Sequence, residues 1–156
     1  MNSQEFIKQH NLNPENYRGS WAFCIGNPWE NTEDRENLEN VEVLRLADQL
    51  AELTKSGGKT ATSSALADYS SEDKMPKVDG SYDIVLNSLG EAVCAIQTTK
   101  IYEAKFMEVS AEHARKEGEG DLTLTYWRQI HEEFFRETGL FSPEMIILCE
   151  EFTVIS

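Results

Sequence analysis

Cysteine is scarce and scattered: Cys24, Cys94 and Cys149 are odd in number and far apart. No disulfide framework and no CxxC metal knuckle can be built from them, which suits a reducing cytosol. Long apolar runs are missing too. The longest, Trp21–Ile25, Ala92–Ile96 and Met145–Cys149, stop at five residues, whereas a membrane helix needs roughly 20. No transmembrane helix is expected. The opening MNSQEFIKQHN has neither a basic nor an apolar signal region, so the expected location is cytoplasmic. Basic residues are the third shortage: 14 Lys and Arg stand against 28 Asp and Glu, a net charge of −14. So acidic a surface repels a polyphosphate at long range, which excludes sequence-blind duplex binding through a broad basic face. Any contact with nucleic acid needs a local basic cleft or a bridging cation. What the chain does have is 40% hydrophobic residues in a length of 156, enough for one domain with a real core.

Hydropathy patterning predicts an α+β chain. Ser3 is placed to cap a short helix carrying Phe6 and Ile7. The segment Glu30–Glu42, six acids against one Arg, reads as an exposed lead-in to a helix with Leu38, Val41, Leu44, Ala47, Leu50 and Leu53 on steps of three, stopped by Gly57 and Gly58. Residues 1–40 are thus expected to form an N-terminal helix and acidic lead-in packed on a single domain spanning 1–156. After Lys59 a Ser/Thr/Ala-rich turn or short helix is expected. A hairpin follows from Tyr82 to Tyr102, turning at Asn87–Gly90. Ser110 caps a helix closed by Gly118, and Asp121 or Thr123 starts another with Leu124, Trp127, Ile130, Phe134 and Phe135 inward. Met145–Ile155 is a last strand. Hairpin connections favour antiparallel pairing.

Several short patterns have two readings. Gly58-Lys59-Thr60 resembles the end of a P-loop, but the first glycine's position holds Leu53 and a helix precedes it, so the nucleotide-triphosphatase reading fails. Lys59 followed by Thr60, Thr62, Ser63 and Ser64 is then a polar capping turn, or a lysine set beside hydroxyls as base or anion clamp. Glu117, Glu119 and Asp121, separated by glycines, are helix punctuation, or an acid/base carboxylate, or oxygen ligands for Mg²⁺ or Mn²⁺. Trp127, Arg128 and His131 share a helix and form either core or an aromatic and cationic wall for a base. His131-Glu132-Glu133 lacks the second histidine of a zinc protease.

Taken in order, WAFCIG, ADQLAELTKSGGKTATSSALADY, DGSYDIVLNSLGEAVCAIQTTKI, FMEVSAEHARKEGEGDLTLTYWRQIHEEFF and CEEFTVI resemble the ASCH-domain proteins, a PUA-like branch often described as RNA-binding. The resemblance runs from about Trp21 to Ile155 and implies a small, partly closed mixed or antiparallel β-barrel flanked by helices. It also implies a pocket for a nucleobase, nucleoside or single-stranded RNA. Some relatives are metal-dependent ribonucleases; a shorter branch hydrolyses the acetyl amide of N4-acetylcytidine with a Lys, a Thr and a Glu. Those positions correspond here to Lys59, Thr62 and Glu117. Tyr69, Trp127, Arg128 and His131 are then the expected substrate contacts, and Glu119 and Asp121 the candidates for a divalent cation, which is optional. Hydrolase and non-catalytic binding module both stay open.

Overall fold

A computed structural model describes all 156 residues. The chain divides into two compact units: residues 1–57, 79–97 and 153–156 form one, and residues 58–78 and 98–152 the other.

In the first unit, helix α1 (Ser3–Gln9) starts one residue earlier than expected. Asn2, not Ser3, accepts from the Glu5 amide, and the Glu5 carboxylate returns to the Asn2 amide, closing a capping box. Strand β1 (Tyr17–Trp21) precedes a short 3₁₀ stretch and then helix α2 (Val41–Lys55). Helix α2 buries Ala47, Leu50, Ala51 and Thr54 but exposes Val41 and Leu46. A helix turns 3.6 residues at a time, so a stripe drawn on strict threes drifts round to solvent. With Phe6, Ile7, Ile25, Ile84 and Leu86 the buried face completes the core of this unit.

The second unit contains strand β2 (Ala61–Ala65), helices α3 (Ala111–Glu117) and α4 (Leu124–Glu137), and most of strand β5 (Ile146–Val154). The segment after Lys59 is therefore a strand rather than a turn or short helix. It pairs antiparallel with β5 from Ala61 opposite Glu151 to Ala65 opposite Ile147. That pairing overrides the low β propensity of Ala and Ser. On α4, Trp127 and Phe135 face the core while Phe134 points outward, 47% exposed. Phe106, Val109, Ala114 and Ile147 complete this second core.

With β3 (Tyr82–Leu86) and the long β4 (Ala92–Lys105), the strands run in the order β1-β3-β4-β5-β2. The hairpin β3–β4 forms as expected, but β1 pairs parallel with β3, so the sheet is mixed. The sheet is open, with β1 and β2 at its edges, instead of closing into a barrel. No helix is long and apolar enough to cross a membrane.

Candidate functional site

Three local features of the second unit bring Lys59 and Glu117 together. Ser110 accepts from the His113 amide and starts α3. Gly118 ends it in the left-handed region at φ +73°. There the chain passes so close to Gly58 that a Cβ on Gly118 would sit 2.0 Å from the Gly58 carbonyl oxygen. The Thr60 amide then donates to the Lys116 carbonyl at 2.8 Å, pinning the Lys59 segment to the last turn of α3. Only glycine permits this approach.

The Lys59 side chain is 1% exposed. Its ammonium meets the Glu119 carboxylate at 2.9 Å, Glu117 Oε1 at 3.4 Å and the Glu117 carbonyl at 3.4 Å, three acceptors for three N–H donors. Glu117, 2% exposed, is the hub. Its Oε2 accepts from Ser63 Oγ at 2.6 Å and from Trp127 Nε1, and lies 3.0 Å from His113 Nε2. His131 Nε2 stands 3.8 Å from Oε1. Burial alone would raise the Glu117 pKa, but Lys59, His113 and His131 outweigh it and hold the carboxyl well below its usual range. Glu117 is a fixed anion.

His113 sits on the same face of α3, one turn before Glu117. Its Nε2 donates to Ser63 Oγ at 2.7 Å, while Nδ1 has no oxygen or nitrogen partner. Burial works against its protonation, yet the neighbouring Cys149 and Glu117 prevail, raising its pKa to about 9. A group raised in this way stabilises the fold fully below the unfolded value of about 6.5 and loses that contribution as pH climbs through the folded one. Unfolding free energy should therefore fall by about 3 kcal/mol between pH 6.5 and pH 9 and beyond, a slope that His113→Gln flattens in denaturant titrations. An equal slope in wild type and variant would refute the assignment.

The other expected residues take different places. Thr62 lies on the opposite pleat of β2 from Ser63, the face shared by its cross-strand partner Glu150 and by Ser64, which meets the Tyr69 hydroxyl at 2.8 Å. The hydroxyl that reaches Glu117 is thus Ser63. Trp127 is 2% exposed and stacked by His131 at 4.2 Å, so its ring face is covered. His131 Nδ1 donates to the Trp127 carbonyl at 2.8 Å. Arg128 is exposed and donates to the Met107 carbonyl. Of the two cation candidates, Glu119 is engaged by Lys59, and Asp121 lies just ahead of α4, where it accepts from the amide and hydroxyl of the cap residue Thr123. His113 is the member that sequence reasoning missed, and Ser63 entered it only as one of four hydroxyls after Lys59. The signal for His113 was its i, i+4 spacing to Glu117, and for Ser63 the alternation with Ala61 and Ala65 once that segment is read as a strand. Beside His113, Lys100, Tyr102, Ser110 and Lys116 line a polar cavity of about 190 Å³.

A family model described as the ASCH domain matches residues 39–156, which include every member of this cluster. The crystal structure of an ASCH domain from Lactobacillus crispatus JV V101 is 28% identical and superimposes with a TM-score of 0.75, covering 97% of this chain and 92% of that one. Protein EF3133 from Enterococcus faecalis V583 is 29% identical at a TM-score of 0.71, covering 97% of this chain and 88% of that one. No curated protein matches. The family match over most of the length and the shared PUA-like fold agree: this chain belongs to the ASCH-domain family.

Proposed function

We propose that this protein binds a nucleobase, nucleoside or short single-stranded RNA, with the Lys59–Glu117 pair at the binding site. The observation that carries the reading is the burial of Lys59 between two carboxylates. Buried ion pairs contribute little to stability that apolar residues of similar volume could not supply. Strongly perturbed carboxylates in charged networks cluster at functional sites, as they also do in structural ion pairs. The cavity beside His113, at about 190 Å³, is smaller than the roughly 300–1,000 Å³ of usual ligand pockets and suits a single ring; Lys59 and Glu117 are not in its lining, and Glu117 meets it through His113. The net charge of −14 ranks nucleosides above long RNA.

A second reading, hydrolysis of an acylated cytidine or of RNA, draws on the 3.4 Å contact between two of its three expected members, Lys59 and Glu117. In that chemistry an ammonium held by carboxylates is a donor to a developing oxyanion rather than a proton acceptor. Glu117 orients it; as Ser63 Oγ, which donates to Glu117 Oε2 at 2.6 Å, or Thr62 attacks the acyl carbon, Glu117 would take the hydroxyl proton and pass it to the leaving amine. A panel of modified nucleosides and short single-stranded RNAs, each with and without Mg²⁺ or Mn²⁺, tests both readings. Saturable binding without product is expected from the first, and product lost in Lys59→Ala and in either Ser63→Ala or Thr62→Ala from the second. No saturable binding by any member overturns both. Turnover undiminished in folded Thr62→Ala removes Thr62 from the chemistry.

A further inference from the structure

The first unit holds a cavity of its own, about 270 Å³, with a different chemistry. No Lys, Arg or His lines it, and Glu30 is its one charged residue. Its polar groups are neutral. Ser20, 8% exposed, links Ser3 at 2.5 Å and the Tyr17 hydroxyl at 2.6 Å into a chain of three hydroxyls. Asn2, Gln4 and Asn27 also line it. Trp29 is 39% exposed, and its indole lies against the turn between β3 and β4. Gly90 makes that seat possible: at φ +79° it carries no Cβ, and one placed there would come within 2.7 Å of the indole. A large aromatic held in place yet open to solvent, beside neutral donors and acceptors, matches a flat uncharged ring with a polar edge.

We propose that this cavity is a second binding site, taking an uncharged nucleobase stacked on Trp29 with its edge toward the Ser20 hydroxyl chain. Phosphate is disfavoured by Glu30 and by the lack of any cation in the lining. The site is built mainly from residues 2–30, ahead of the segment that the family model matches, and it is independent of the Lys59 reading.

Adenosine, cytidine and free ribose, titrated into the full chain and followed by calorimetry, test the proposal. Saturable binding of a nucleoside, with ribose inert, is expected. Base stacking is worth ~1–3 kcal/mol per base, so Trp29→Ala should weaken binding by about 5-fold to 150-fold, and Trp29→Phe by less. Gly90→Ala, which would displace the indole, should weaken it as well. Near-ultraviolet circular dichroism and thermal melts confirm that each variant is folded. Nucleoside binding unchanged in folded Trp29→Ala, ribose binding as well as the nucleosides, or no saturable binding by either nucleoside overturns the proposal. Loss of one nucleoside-binding event in Trp29→Ala and of a different one in Lys59→Ala separates this site from that of Lys59.

Discussion

Glu117→Gln should destabilise the protein by about 3–5 kcal/mol, the cost of removing one partner from a buried charge network. The substitution keeps the volume and removes the charge that compensates Lys59 and His113, both 1% exposed. Lys59→Met should also destabilise, by less, because His113, Ser63 and Trp127 still face the carboxylate. Combining Lys59→Met with Glu117→Gln should cost clearly less than the sum of the two, since the charge each single variant leaves unpaired across the Lys59–Glu117 contact is then gone, although His113 and Glu119 still lose a partner. Urea titrations of the four proteins measure the coupling. Additive effects, or a Glu117→Gln change below about 0.5 kcal/mol, which is what an ordinary surface position gives, would mean that the network carries no such energy.

Gly118→Ala should be nearly as damaging, for a reason of backbone rather than charge. At φ +73° an alanine pays about 1–2 kcal/mol for the left-handed conformation. The same Cβ would meet the Gly58 carbonyl at 2.0 Å, so the Gly58–Lys59 segment must move away from α3. A total near 3 kcal/mol or more is expected from strain and lost packing together. Gly57→Ala is the control. Its φ is +87°, but nothing lies within 4 Å of the added carbon, so only the conformational cost of about 1–2 kcal/mol applies. Thermal or denaturant unfolding that shows the two variants alike would show that the close approach at Gly118 is dispensable.

Much of this arrangement could be read in the sequence where local rules decide. The hairpin of β3 and β4, the Ser110 and Thr123 caps and the glycine stop after Glu117 all follow from turn and cap chemistry. The juxtaposition of Lys59 with Glu117 did not follow from spacing; it was implied by family resemblance. What local rules could not reach was set by long-range pairing. Strand β2 exists because β5 pairs with it, and once Ala61–Ala65 is extended, alternation turns Ser63 toward Glu117 and Thr62 away. The parallel pairing of β1 with β3 likewise joins segments far apart in the chain, which no hairpin signal reports. The sequence left Trp127 as either core or an aromatic wall, because its burial under His131 depends on which face of α4 meets the core.

The indole N–H resonances offer the most direct test of ligand binding at the Lys59–Glu117 pair. Trp127 Nε1 donates to Glu117, whereas Trp29 lies in the other unit. Titrating isotope-labelled protein with an unlabelled single-stranded RNA or nucleoside should shift the Trp127 signal progressively to saturation, because a ligand that engages Lys59 or Glu117 alters the bond that this proton makes. A ligand whose binding survives Trp29→Ala while the Trp127 signal stays still would contradict the account.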